Sequence, residues 1–122
     1  MNDWFHVLDF EKEMFTIHID WTYEQIPVRD MFDDTVSDID DMERRCDQGI
    51  DTHYMARVTV FFEGLEIEEL IVGSCYACDM DPESDIMNEY ESGYISDFVN
   101  EAFANAKERC REMTTRFNEV FA

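Results

Sequence analysis

YMARVTVFFEGLEIEELIVGSCYA, residues 54–77, decides the fold of this 122-residue chain. Residues 54–62 are rich in the β-branched and aromatic side chains that favour strands, and residues 65–77 form a second such run. Glu63 and Gly64 between them are typical of a two-residue hairpin turn. The alternation of the second run changes phase between Ile67 and Leu70, which predicts a β-bulge at Glu68–Glu69. The stretch therefore predicts an antiparallel hairpin.

A further strand is predicted before the hairpin. In MFTIHIDW, residues 14–21, apolar and polar side chains alternate, so that one face carries Phe15, Ile17, Ile19 and Trp21. The other face carries polar residues and is predicted to be exposed. A fourth, short strand is consistent with WFHVLDF, residues 4–10.

Helical periodicity appears on both sides of the hairpin. Apolar positions from Val28 to Cys46 recur every three or four residues, which predicts a helix over at least residues 37–48, starting as early as residue 29. A break near residues 33–35 is the alternative, because Ser37 followed by Asp40 would form a second N-cap. Residues 78–93 are predicted to be an acidic loop, with a short helix over 84–91 as the alternative. Residues 94–121 keep the spacing for over seven turns and predict a long amphipathic helix.

This element order predicts one α+β domain over residues 1–122. An antiparallel sheet of three or four strands would pack against two helices on one face, the C-terminal helix (about 94–121) being the long one. Four cysteines in a chain without the features of a secretion signal predict reduced thiols and a cytoplasmic protein. No apolar run reaches the ~18 residues of a membrane span.

Charge is the unusual property of the chain. Thirty acidic residues face nine Lys and Arg, which gives a net charge of −21. Residues 58–106 contain twelve acidic residues and no Lys or Arg. Such a chain repels nucleic-acid phosphates and anionic membranes, and it attracts basic protein surfaces. We therefore expect a protein partner with a basic surface, and neither direct nucleic-acid binding nor membrane binding.

No motif in the sequence indicates catalysis or a cofactor. Cys75 and Cys78 have C-x-x-C spacing, but the second pair of a zinc site is missing and the pair closes a strand instead of opening a helix, which favours structural thiols. The run DMDPESD, residues 79–85, lacks the glycine and the bidentate glutamate of a calcium loop. His18 and Asp20 share a strand face, but the chain has no nucleophile elbow and no phosphate-binding loop. We predict no enzymatic activity, no cofactor and no metal, with zinc at the cysteine pair left as an alternative.

The stretch RDMFDDTVSDIDDMERRC, residues 29–46, carries an aspartate column. Spacings of four, four and three place Asp30, Asp34, Asp38 and Asp41 on one side of a continuous helix. Like charges at this spacing destabilise a helix by a few tenths of a kcal/mol, although acids are favourable in a first turn. A solvated helix face is therefore one interpretation. The other is a carboxylate array for a basic partner, because residues four apart lie about 6 Å apart along the axis, a length comparable with the spacing of backbone phosphates.

Strand and loop carboxylates would extend this array. The predicted partner-binding residues are Asp30, Asp33, Asp34, Asp38, Asp40, Asp41, Glu66, Glu68, Glu69, Asp79, Asp81, Glu83 and Asp85.

The stretch IPVRDMFDDTVSDIDDMERRCDQG, residues 26–49, together with the hairpin sequence, resembles small acidic proteins encoded by tailed phages and mobile elements. The likeness covers roughly residues 15–78. In size and charge the whole chain is similar to phage inhibitors of bacterial defence, the anti-restriction and anti-CRISPR proteins, of which several are DNA mimics. The resemblance implies a counter-defence role but transfers no site residue.

The function expected from the sequence is a non-enzymatic acidic inhibitor. It would bind a host defence or nucleic-acid-handling protein (restriction, BREX-like or CRISPR) in the cytoplasm of an infected bacterium, with DNA mimicry as one mechanism. The alternatives are a homodimeric structural or assembly protein whose acidity serves solubility, and a metal-binding module.

Overall fold

The computed structural model describes residues 3–33, 35 and 38–121. The elements in chain order are β1 (Phe5–Lys12), β2 (Phe15–Tyr23), α1 (Val28–Met31), α2 (Ile39–Asp47), β3 (Thr52–Phe62), β4 (Leu65–Ala77), α3 (Pro82–Glu89) and α4 (Tyr94–Phe121). The predicted α+β class, the hairpin and the long C-terminal helix are confirmed.

The strands form one antiparallel sheet in the order β1-β2-β3-β4, so each strand pairs with its neighbours in sequence. Glu63 and Gly64 both have positive φ, 52° and 80°, which is the conformation of a two-residue turn that follows the twist of its strands. The β3–β4 register shifts twice, and the bulge in the predicted region lies at Ile67, because Val60 pairs with Glu68 and Phe61 pairs with Glu66. The bulge is thus one residue earlier than predicted.

The core lies between the sheet and the two C-terminal helices. The face predicted for β2 is confirmed, since Ile17 and Ile19 are fully buried. They belong to one apolar cluster whose α3 and α4 members are Ile86, Ile95, Val99, Ala102, Phe103 and Ala106. α4 packs mainly over β3 and β4. The sequence periodicity of α4 is therefore explained by burial up to about Ala106.

The first helical segment is split in two. α1 ends at Met31 and is followed by Phe32 in extended conformation (φ −115°, ψ 148°), and α2 begins after Asp38, whose side chain accepts a hydrogen bond from the amide of Asp41. The break left open by the sequence is confirmed. Its N-cap is Asp38; Ser37, the predicted cap, lies outside the described residues.

The prediction that all helices lie on one face is wrong for α1 and α2. The ring of Phe32 contacts His53 and Tyr76, with centroids 5.5 and 6.0 Å apart, and these two residues pair on the sheet face opposite α4. The short helices therefore cover one end of the other face. The acidic connection contains α3, capped by the side chain of Asp81 with Pro82 in its first turn, so the alternative of a short helix is confirmed.

Candidate partner-binding surface

The predicted aspartate column does not exist as one helix face. Asp30 lies on α1 and Asp41 lies on α2, with extended backbone at Phe32 between the two helices. The spacing rule that aligned the column holds only within a continuous helix. Asp33 accepts hydrogen bonds from the amide and hydroxyl of Thr35, which lower the pKa of its carboxyl group. Asp34 lies outside the described residues.

Arginines of the same segment neutralise the carboxylates of α2. Arg29 reaches across from α1 and pairs with Asp40 (Nη2 to Oδ1, 2.5 Å) and Glu43 (Nε to Oε1, 2.9 Å). Arg44 pairs with Asp41, one turn earlier on the same helix. A partner could engage these three carboxylates only in competition with intramolecular guanidinium groups.

Asp79 belongs to a cluster that joins α2 to the end of β4. Its Oδ1 lies 2.5 Å from Nη2 of Arg45, and the same guanidinium donates to both carboxylate oxygens of Asp51 at 2.8 and 3.0 Å. The Tyr76 hydroxyl and the Asp79 amide also donate to Asp51, which is buried. The Arg45 hydrogen bonds, helped by the other two donors, lower the pKa of Asp51 to about 2. No sequence pattern had singled out Asp51.

The prediction that Asp85 belongs to the surface is wrong. Asp85 is 7% exposed, and its Oδ2 accepts hydrogen bonds from the hydroxyl of Tyr54 at 2.6 Å and from the hydroxyl of Tyr94. The two tyrosines come from β3 and α4, which the fold brings against α3. The carboxylate therefore holds three elements together, and no partner can reach it without unfolding this contact.

The three glutamates of β4 do not share a face. Glu66 and Glu69 pair with Phe61 and Thr59 and lie exposed on the sheet face opposite α4. The bulge turns Glu68 toward α4, where its side chain is 15% exposed and 3.9 Å from Arg109. Glu69 is seven residues from Tyr76 along β4, about 23 Å at the strand rise, so the exposed glutamates lie far from α2.

The remaining carboxylates on and next to α3 and the first half of α4 differ from those of α2 and from Asp79 in having no basic partner among the described residues. No described Lys or Arg forms an ion pair with any of them, and Lys12, which lies nearby, donates instead to the side-chain oxygen of Asn100 at 3.1 Å. Glu89 accepts from the amide of Tyr94 at 3.1 Å and so caps α4. We call this set the α3–α4 acidic surface, and its members are Asp81, Glu83, Glu89, Glu91, Asp97 and Glu101.

Asp81 and Glu83 are among the partner-binding residues predicted from the sequence, whereas Asp97 and Glu101 are not. All six lie in the interval of residues 58–106 without any Lys or Arg, although the same interval also contains Glu68, Asp79 and Asp85, which have partners in the fold. Asp97 and Glu101 are four residues apart on α4, so both project from one side of the helix. Among the described residues, these six carboxylates on and beside α3 and α4 have no ion-paired cation, whereas Asp40, Asp41 and Glu43 of α2 do.

The polar face of β2 carries a charged cluster centred on Asp20. His6 Nδ1 lies 2.9 Å from Asp20, and Arg57 Nε and Nη2 donate to the same carboxylate at 3.1 and 2.9 Å. The hydrogen bond to Asp20 raises the pKa of His6. Asp20, predicted to be exposed beside His18, is buried and bound by other residues. The arrangement is a structural ion pair across β1, β2 and β3.

The C-x-x-C cysteines occupy different environments. Cys75 is buried in the core, where burial raises the pKa of its thiol to about 12, and Cys78 is exposed beyond the end of β4. Among residues 3–33, 35 and 38–121, no three His, Cys, Asp or Glu side chains are grouped to hold a metal ion. No helix in the same part of the chain is long and apolar enough to cross a membrane.

Comparison of the chain with protein-family models, curated proteins and solved structures finds no match.

Proposed function

We propose that this protein is a non-enzymatic inhibitor that occupies the basic, nucleic-acid-binding surface of another protein with its α3–α4 acidic surface. The observation that carries the proposal is that, within the described part of the chain, no cation forms an ion pair with these six carboxylates, although the chain has nine Lys and Arg. Carboxylates without an intramolecular ion-pair partner can form charge-assisted hydrogen bonds with Lys and Arg of a partner protein. Their summed field also speeds encounter with a basic surface.

The spacing of these carboxylates favours mimicry of nucleic acid. Asp97 and Glu101 are separated by four helical residues, about 6 Å along the axis, a length comparable with the spacing of backbone phosphates. α3 and α4 both pack on the core, so most of the charges are carried by ordered backbone. A pre-organised charge array loses little conformational entropy on binding.

The finer part of the proposal is a counter-defence role. We infer that the target is a bacterial defence or nucleic-acid-handling protein, of the restriction, BREX-like or CRISPR kind, met in the cytoplasm of an infected host. The resemblance of residues 15–78 to small phage proteins supports this inference, and the charge supports it independently. The Asp40, Asp41 and Glu43 carboxylates contribute less, because Arg29 and Arg44 already bind them.

The proposal is tested by capture, salt dependence and competition. The purified protein is immobilised, the proteins it retains from a bacterial lysate are identified, and the binding of each purified candidate is measured. We expect affinity to fall steeply between low and physiological salt, and DNA or RNA to compete for the same partner. An affinity that does not change with salt concentration, together with no competition from DNA or RNA, contradicts the proposal.

Matched charge variants locate the surface. The triple variant Glu83→Gln, Asp97→Asn, Glu101→Gln removes three charges of the α3–α4 acidic surface and should weaken partner binding at least about tenfold, since loss of one charge-assisted contact costs on the order of 1–3 kcal/mol. The control Asp47→Asn, Glu63→Gln, Glu119→Gln removes three exposed charges elsewhere. Equal losses in the two triple variants would show that only net charge matters.

A further inference from the structure

The last three turns of α4 extend beyond the core. Every residue from Arg111 to Phe121 is exposed, including Met113 (39%), Phe117 (57%), Val120 (72%) and Phe121 (80%). The rings of Phe117 and Phe121 stack on one another with centroids 6.3 Å apart. An isolated helix of this length is marginally stable in water, so a partner that covers its apolar side would stabilise it.

The exposed apolar residues continue the core-facing side of the same helix. Ala106, Cys110, Met113, Phe117 and Val120 follow one another at spacings of four, three, four and three, the repeat of a two-helix seam. Ala106 is buried against the sheet and Cys110 is half-buried at its edge. We call Cys110, Met113, Phe117, Val120 and Phe121 the overhanging stripe.

We propose that the overhanging stripe pairs with the same stripe of a second copy of the chain, in an antiparallel arrangement with its two-fold axis at Thr115. A two-fold axis at this residue places Met113 opposite Phe117 of the second copy, and Cys110 opposite Val120 of the second copy. Cys110, Met113, Phe117 and Val120 thus each meet an apolar residue, as a self-complementary two-fold interface requires, and Phe121 lies at the level of Arg109 of the second copy.

Charge identifies a second copy as the occupant. Residues 107–121 contain four basic and three acidic residues, a balance of plus one in a chain of net charge −21. Contact through any strongly acidic part of the surface would bring like charges together, whereas two overhanging stripes meet almost without repulsion. The antiparallel orientation also keeps the two acidic bodies at opposite ends, which a parallel pair would not.

Flanking charges fit the same register. With the axis at Thr115, Glu112 of each copy lies within about 3 Å, along the axis, of the level of Arg116 of the other copy. Both residues lie on the same flank of the stripe, so Glu112 offsets the mutual repulsion of the two Arg116 side chains. Arg109, on the same flank, donates to the Ile67 carbonyl of its own chain.

The exposed apolar area of the overhanging stripe limits the affinity of the proposed dimer. At about 200 Å² for a large side chain, the exposed parts of Met113, Phe117, Val120 and Phe121 amount to roughly 500 Å² per copy, or roughly 1,000 Å² for the pair. This is the lower limit of specific protein interfaces. We expect a reversible dimer with a dissociation constant in the micromolar range.

The first experiment measures the mass of the full chain by sedimentation equilibrium across the micromolar range. The wild-type chain should pass from monomer to dimer, and Phe117→Gln with Val120→Gln should raise the dissociation constant at least about tenfold, because burial of this apolar surface is lost. Met14→Gln with Leu65→Gln removes two residues of high exposure elsewhere and should leave the dimer unchanged. A wild-type monomer at all concentrations, or a dimer unaffected by the stripe variant, overturns the proposal.

The second experiment determines the register. Val120→Cys is introduced together with Cys78→Ser, which removes the exposed native thiol, and the protein is mildly oxidised. The proposed dimer brings the thiol at position 120 opposite Cys110 of the second copy, so mass spectrometry should find an intermolecular 110–120 disulfide. A 120–120 disulfide indicates a parallel pair and overturns the proposal, as does the absence of any crosslink in a sample that sediments as a dimer.

Discussion

This protein has two acid-rich regions, α2 with its flanks and the α3–α4 acidic surface. They are similar in composition but differ in whether their carboxylates are ion-paired. Around α2, the carboxylates form ion pairs with Arg29, Arg44 and Arg45. Asp51 binds Arg45 and so connects the helix to the sheet. Along α3 and the first half of α4 no arginine or lysine pairs with the carboxylates among the residues described. The position of the few cations, and not the number of acids, decides which negative charges remain available to a partner.

The largest expected effect is the loss of stability when the ion-paired network that holds α2 is disrupted. Asp51→Asn removes the charge that binds Arg45, Tyr76 and the Asp79 amide, and loss of one member of such a network should lower the melting temperature by more than about 8 °C. Asp47→Asn, on the exposed end of α2, is the control and should change it by less than about 2 °C. Equal effects in thermal denaturation would mean that Asp51 does not anchor α2.

The pH dependence of stability tests the contribution of the Asp51 charge independently. The folded pKa of Asp51 is about 2, below the ~3.9 of an unfolded chain, so its contribution to stability is present above pH ~4 and is lost as pH falls toward 2. Free energies of unfolding measured across this window should therefore fall more steeply for wild type than for Asp51→Asn. Parallel pH profiles would contradict the assignment.

The interior carboxylate of α3 should respond to loss of its tyrosine partners. Tyr54→Phe deletes a hydroxyl that donates to the buried Asp85 and should cost about 2 kcal/mol in the free energy of unfolding. Tyr90→Phe deletes a hydroxyl that donates to the exposed Glu91 and should cost less than about 0.5 kcal/mol. Chemical denaturation of the two variants makes the comparison, and similar costs would place Asp85 at the surface after all.

Neutralising one carboxylate in each region should shift stability in opposite directions. Asp41→Asn removes the Arg44 pair and lowers the melting temperature by about 1–3 °C, whereas Glu101→Gln relieves repulsion from Asp97 and raises it by a similar amount. Both shifts should shrink in about 1 M salt, where charges are screened beyond about 3 Å. Shifts of the same sign at low salt would remove the distinction between the two regions.

The smallest expected effect concerns His6. Its folded pKa is raised by the hydrogen bond to Asp20, so the protonated form adds stability below the unfolded pKa of ~6.5, and this contribution is lost as pH rises through the folded pKa. Because the side chain is half exposed, the effect should stay below about 1 kcal/mol. Melting temperatures on both sides of neutrality should show less pH dependence in His6→Gln than in wild type, with His18→Gln as the control.

Periodicity predicted the parts of this fold that repeat over many residues. The hairpin, the buried face of β2 and the length of α4 follow from regular apolar spacing, which tolerates the loss of single positions. The bulge at Ile67 was predicted one residue too late, because a change of phase in the apolar alternation can be recognised only from the residues that follow it. The split between α1 and α2 could be predicted only as an alternative, because apolar spacing continued across it.

The site depended on contacts between distant positions. Asp85 is buried because Tyr54 and Tyr94 meet it from 31 and 9 residues away, and nothing local distinguishes it from the exposed Glu83. The pairing of Arg29 with Asp40 likewise needs the turn between two helices. The interval without basic residues could be identified from the sequence alone, and it contains the surface to which the proposed function is assigned.

The C-x-x-C pair at the end of β4 provides a chemical reporter of this architecture. A thiol-directed reagent should alkylate the exposed Cys78 rapidly in the native protein, while the core thiol of Cys75, with its pKa near 12, should react only when the sheet opens. A fluorophore attached at Cys78 sits beside Asp79 and its Arg45 contact. One modification would then report on the docking of α2, and in a chain that also carries Cys46→Ser and Cys110→Ser the delayed reaction of Cys75 would measure the opening of the core.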